Sequence, residues 1–236
     1  MKQLLTVSLS DFRMIFRDPT LRVFLLLPIM VFAVINGALP WLISKYPVVE
    51  EYAIYVVVIA TIEVTQMFGF IYSIVLIEEK EQEVSKVYGV MPISRITFTL
   101  FRMLIPMLIT ILLTWLILIL QPFYDIPLAY SLLFSLIAGL VVPPYVLLVA
   151  VMSKNKMEGM VWIKVVNLAV VIPAAAFFIP KSFGWLFGFL PTHWAFQGLY
   201  DLMLNESFVL ELAAAAGLLV LFTTLLLRRF SKTHFA

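Results

Sequence analysis

EEKEQEVSKVYGVMPISR, residues 78–95, is a dense block of charge between two long apolar stretches, and its reading decides the fold. Charges of this density are costly in hydrocarbon, so the block marks a point where the chain leaves a membrane. In a helix, Val84, Val87, Tyr88 and Met91 fall at i, i+3, i+4 and i+7 and share one apolar stripe. Lys80, Glu83 and Lys86 follow each other at intervals of three on the polar side, where opposite charges give weak mutual support. The spacing predicts a short amphipathic helix over residues 78–91, lying on the membrane surface with one face open to a partner. The turn Pro92-Ile93-Ser94-Arg95 closes it.

Working outward, the chain of 236 residues is 63% hydrophobic and 13% charged, with a mean hydropathy of +1.07. Soluble domains are nearer half apolar and about a quarter charged. The composition is that of an all-α integral membrane protein, with no room beside its spans for a soluble catalytic domain of roughly 100 residues. There is no cysteine, which removes disulfides, thiol catalysis and thiolate metal sites.

Apolar spans are predicted at 21–43, 53–77, 98–120, 128–152, 159–179 and 208–227. Residues 1–18 carry Leu5, Leu9, Phe12 and Phe16 on one side and Lys2, Arg13 and Arg17 elsewhere, the pattern of an interfacial helix against lipid headgroups. The segment is too polar for a cleaved signal peptide. Six spans put both termini on one side. With that side cytoplasmic, only Lys45 and Lys181 of the 16 basic residues lie outside, beside Glu50, Glu51, Asp125, Asp201, Glu206 and Glu211. This positive-inside bias predicts a multi-pass protein of the cell membrane with cytoplasmic termini. Residues 180–207 are too interrupted for a span and too apolar for an ordinary loop. A pair of short helices dipping into the outer leaflet is expected, with Trp185, Trp194 and Tyr200 at the interface.

Few residues invite chemistry. Glu63 is the single charge inside the second span. An intramembrane carboxylate is expensive and marks a functional position, whether a substrate path, a dimer interface shared with Gln66, or a proton or cation site. Asn36 and Asn167 are expected to hold helices together. Pro143-Pro144 and Pro173 should kink the fourth and fifth spans. His193 stands among aromatic residues without the convergent ligands that a metal requires. No Walker A loop and no GxSxG occurs, and no catalytic residue is assigned. Nothing points to nucleic acid.

Glu79-Lys80-Glu81 followed by Pro92-Ile93-Ser94-Arg95, in this topology, resembles the permease subunits of ABC-2 type exporters. Glu83 stands where that family carries glycine, and Val84-Ser85 replaces its threonine region. The resemblance implies that residues 78–95 form a coupling helix docked on a separate ATP-binding subunit. Glu79, Lys80, Glu81, Val84, Val87, Tyr88, Met91 and Arg95 would then form the contact. It further implies ATP and Mg on that subunit rather than on this chain, and a second permease chain, like or unlike. Glu63, Gln66, Asn36 and Asn167 would face the substrate path or dimer interface, and Trp185, His193 and Trp194 the outer segment. The cargo would be an amphipathic drug, peptide or lipid. The rival readings are an ion- or proton-coupled carrier using Glu63, and a non-transporting scaffold or immunity protein.

Overall fold

The computed structural model describes residues 16, 19–83 and 94–233. Six helices in this set are long and apolar enough to cross a membrane: α1 (Leu21–Lys45), α2 (Pro47–Glu81, entered by a 3-10 turn), α3 (Arg95–Leu120), α4 (Leu128–Met152), α5 (Lys156–Phe177) and the span Val209–Lys232. Before the last of these comes a shorter helix, α6 (Pro191–Met203), so the last is α7 (Val209–Thr233). The six spans match those predicted, and α4 has the predicted bounds. The expected interfacial helix at 1–18 lies outside the described residues, apart from Phe16.

α2 and α4 form the centre. In the most apolar window of α2, 72% of residues are buried, and in that of α4 67%, against 17% in α1 and in α7. α3, α5 and α7 pack around this pair, and α6 lies against α7 and α2. α1 touches chiefly α2 and stands at the edge, anchored by the Phe24 ring 4.2 Å from that of Phe70.

The sequence of α3 shows how a helix is oriented in lipid. Leu100, Leu104, Leu108, Leu112 and Leu116, spaced by four, are its exposed stripe. Its buried face carries Thr99, Arg102, Met103, Thr110 and Thr114. Leucine gains nothing by turning inward when the surroundings are hydrocarbon, whereas hydroxyls and small side chains gain by facing protein. On the facing half of α4, Ser131 and Ser135 return their hydroxyls to the carbonyls of Leu128 and Ser131. Gly139 closes that row: a Cβ there would sit 2.5 Å from Ile111 Cγ1.

Prolines bend the spans where expected. α4 breaks at Val141, just before Pro143-Pro144, where the Val141 N–H reaches the Ala138 and Gly139 carbonyls. At Ile172–Phe177, beside Pro173, α5 tightens into a 3-10 turn. α1 widens into a π-helix at Val34–Ala38.

The boundary after the second span is corrected. No separate helix starts at Glu78; residues 78–81 are the last turn of α2, which ends at Glu81. Gln82 caps it and Glu83 takes the left-handed conformation, φ 58°. That conformation costs a residue other than glycine about 1 kcal/mol or more, and Glu83 is the position where the resembling family carries glycine. The helix continues into the charged block because its polar groups find partners, described below. Val84, Val87, Tyr88 and Met91 lie outside the described residues.

Residues 180–207 form two short helices, a 3-10 helix at Lys181–Phe187 and then α6. One face of α6, including His193, Phe196, Leu199 and Leu202, is buried against the bundle.

Candidate functional site

Two polar sites stand out, one along the bundle and one at its charged end. The first lies between α1, α2 and α5. Glu63 and Gln66, three apart on α2, and Lys164 and Asn167, three apart on α5, line one cavity of about 240 Å³ with Phe24, Leu27, Met67, Phe70, Met160 and Ile163. Glu63 is half-buried and Lys164 exposed. Gln66 is 5% exposed. Glu63 and Gln66 interact, yet the buried Gln66 Nε2 has no acceptor in hydrogen-bonding position. Glu63 also borders a second groove of about 530 Å³ between α1 and α2, shared with Leu27 and running past Ala60, Val56 and Tyr55 to Tyr52.

The wall behind this cavity is set by close packing. Gly69 lets the Tyr145 ring of α4 lie against α2, so close that a Cβ there would be 2.5–2.9 Å from three ring atoms. Held in that position, Tyr145 donates its hydroxyl proton to Asn167 Oδ1 and fixes the amide at the cavity. Gly69→Ala is therefore expected to cost about 1–3 kcal/mol by overpacking against a rigid ring. Gly37, with nothing within 4 Å of its missing Cβ, is the control. Thermal unfolding in detergent should fall for Gly69→Ala and hold for Gly37→Ala; equal behaviour of the two would refute the packing argument.

At the Tyr52 end of α2, Tyr55 stacks on Tyr200 of α6, ring centroids 5.8 Å apart and 14° from parallel. It also meets Phe177 and Phe178 at 5.3 and 5.1 Å. These rings join α2, α5 and α6 beside the mouth of the groove. Burial, and then the neighbouring Tyr55, raises the Tyr200 phenol above its ordinary range.

The second site is the opposite end of α2, where three consecutive residues reach three different neighbours. Glu78 pairs with Lys156 at the start of α5. Glu79 takes two bonds from the Arg102 guanidinium of α3, both 2.6 Å, and both side chains are buried. Lys80 donates to the Ser153 carbonyl at the end of α4, 2.8 Å. Successive helical residues point about 100° apart, so one turn of α2 fastens to α3, α4 and α5 together. Phe98 lies against the Arg102 guanidinium at 5.5 Å. The turn from α4 to α5 is itself braced: the Asn155 side chain caps the Glu158 N–H, and the Glu158 carboxylate accepts from the Lys154 N–H. At the same end, Arg95 donates to the Ser231 carbonyl of α7, 3.3 Å.

Of the residues singled out from sequence, Glu63, Gln66 and Asn167 meet in one cavity, but Asn36 does not join them. Its amide bonds Phe32 O, 3.1 Å away on its own helix. That bond falls within the widened π turn region at Val34–Ala38 and the turn before it. Lys164 belongs to the cavity, although sequence reasoning did not select it as a site residue. Its signal is present in the chain: Lys164 and Asn167 stand three apart in an otherwise apolar span, as Glu63 and Gln66 do. Glu79 is corrected as a surface contact, because its carboxylate is spent on Arg102 inside the bundle. Arg102, in the sequence only one more basic residue of the inner side, is its partner. Glu81 is exposed at the end of α2.

On the outer segment Trp185 is 72% exposed, while Trp194 donates its indole N–H to the Gly188 carbonyl, 2.7 Å. His193 is buried between the rings of Phe187 and Trp194, and burial holds its imidazole below the ordinary histidine range.

A search of curated proteins finds no significant match. A family profile described as Fluoroquinolones export permease protein Rv2686c-like matches residues 11–228, which takes in the first five spans and most of the sixth. A match over residues 11–228 of a helical, multi-span chain leaves one conclusion: the chain belongs to the Rv2686c-like family of fluoroquinolone export permeases.

Proposed function

We propose that this chain is the transmembrane subunit of an exporter powered by a separate ATP-binding-cassette subunit, in the manner of the ABC-2 permeases. The observation that carries the proposal is the turn Glu78–Lys80, which ties the end of α2 to α3, α4 and α5 immediately before the charged segment leading to Arg95. A push on that segment enters four spans together rather than bending one loop. That is what a machine driven from outside its own chain requires.

On this reading the charged end of the bundle is cytoplasmic, in keeping with its excess of lysine and arginine. ATP and Mg bind on the ATPase subunit. Two permease chains pair, each docked to one ATPase through the segment after α2, and the cargo passes along the α1–α2–α5 side. The family description points to fluoroquinolones as cargo, which are amphipathic and aromatic. The two short helices of residues 180–207 cap the outer end, dipping into the leaflet.

Copurification tests the proposal. The chain, expressed with the neighbouring genes of its source, should bring down a protein carrying a Walker A loop, and a fluoroquinolone should change that protein's ATP hydrolysis. Drug transport in proteoliposomes that follows an imposed pH gradient and ignores ATP would replace this reading with a Glu63-coupled carrier. ATPase capture without any transport would leave a scaffold.

A further inference from the structure

We propose that the cavity shared by α1, α2 and α5 recognises a flat zwitterionic amphiphile, with its anionic group at Lys164 and its cationic group at Glu63. This rests on the permease reading and deepens it, assigning residues, ligand chemistry and ligand direction.

A carboxylate on one helix and an ammonium on another line the same cavity, and among the described residues no ion pair joins them. Their levels along the bundle explain the separation. The contact of Glu78 with Lys156 sets the register between α2 and α5. At 1.5 Å per residue, Glu63 lies roughly 22 Å from that contact and Lys164 roughly 12 Å, leaving about 10 Å between them along the axis. Gln66 and Asn167 fall between, at roughly 18 and 16 Å. The four polar groups form a ladder that no single side chain bridges.

The ladder holds an unmet demand. Gln66 is 5% exposed and lines the cavity beside Glu63, and its Nε2, directed at that carboxylate, completes no well-formed hydrogen bond there. A buried donor held in poor geometry gains from a better-placed acceptor on a bound molecule. Asn167 is already oriented by Tyr145, so that wall is preformed.

Charge complementarity selects the occupant. Lys164 opposes a simple cation, Glu63 a simple anion, and a neutral molecule leaves both charges unpaired in apolar surroundings. A molecule bearing both charges about 10 Å apart satisfies the two together. The body between the two charges lies in the same cavity, against Phe24, Met67, Phe70 and Ile163, and the adjoining groove of about 530 Å³, bordered by Tyr52, Tyr55 and Phe178, takes whatever extends beyond the cationic group. Because that groove starts at Glu63 and runs away from Lys164, the cationic end leads toward the Tyr52 end. In a zwitterionic lipid headgroup only a two-carbon linker separates the charges, too short to span the ladder.

The test uses four probes built on one intrinsically fluorescent fluoroquinolone: the free amino acid form, the N-acetyl derivative, the ethyl ester, and the doubly blocked compound. Binding to the full-length chain is measured in nanodiscs, and export in vesicles with its ATPase. The native chain should prefer the zwitterion over either singly blocked probe by roughly ten- to a hundred-fold, the effect of one charge-assisted hydrogen bond. Glu63→Gln should erase the preference for the free amine and keep that for the free acid. Lys164→Gln should do the reverse. Ratios between probes within one variant do not depend on how much of that variant is folded. Equal weakening of all four probes by either substitution, or no change in any ratio, overturns the proposal. If the ATPase responds and all four probes are exported alike, the site fails while the permease reading stands. Selective binding with no responding ATPase is the opposite case, in which the site stands and the permease reading fails.

Discussion

Replacing Val87 and Tyr88 together with aspartate is expected to abolish capture of the proposed ATPase subunit and, with it, ATP-driven export. Both residues lie on the stripe that the sequence places at i and i+3 or i+4 from Val84 and Met91. Burying an aliphatic or aromatic side chain at an interface is worth about 1.5–3 kcal/mol, so losing two costs roughly a hundredfold or more in affinity before the penalty of burying carboxylates. The substitutions fall between α2 and α3 and leave every described span untouched. Membrane insertion and monomer stability should hold. The measurement is copurification from membranes with the chain quantified in the same fractions. Undiminished ATPase recovery by the double variant would remove the stripe as a docking face, and a chain missing from the membrane would mean that the change acts on folding.

Glu79→Ala is expected to destabilise the bundle by about 3–5 kcal/mol, because it strands the Arg102 guanidinium in a buried site. Removing both charges, as Glu79→Leu with Arg102→Met, should recover most of that loss. A buried pair exchanged for apolar groups of similar volume is often neutral or better. Thermal unfolding in detergent separates the two variants. The informative readout is coupling. If this pair carries movement from α2 into α3, the double variant folds yet its ATPase responds less to drug. Full drug response in a stable double variant would show that the clamp contributes rigidity and nothing more. The exposed pair Glu78–Lys156 is the control, since solvated ion pairs contribute about 0–1 kcal/mol.

Much of this molecule was legible in its residues. The six spans follow from runs of apolar side chains of membrane length, a local property that folding does not revise. The proline breaks at Val141 and Ile172 follow from missing N–H donors and ring clashes, which are equally local. Periodicity on a single helix could also be read. It placed Glu63 with Gln66 on one face, and the same spacing on the fifth span would have added Lys164 to Asn167.

Pairings between helices could not be read. A charged block looks the same whether its charges meet water or each other, so Glu78–Glu81 read as the start of a surface helix, whereas Arg102, twenty-three residues beyond Glu79, draws them into the last turn of α2. Asn36 and Asn167 are chemically alike, yet one bonds within its own helix and the other meets Tyr145 across helices. Composition and the lengths of the apolar runs determined that the chain has six segments able to span a membrane, since both depend on side chains close in sequence. Which polar faces meet, and so where the cavity and the clamp lie, depended on packing distances set by Gly69, Gly139 and their partners far along the chain, and only the tertiary structure decided it.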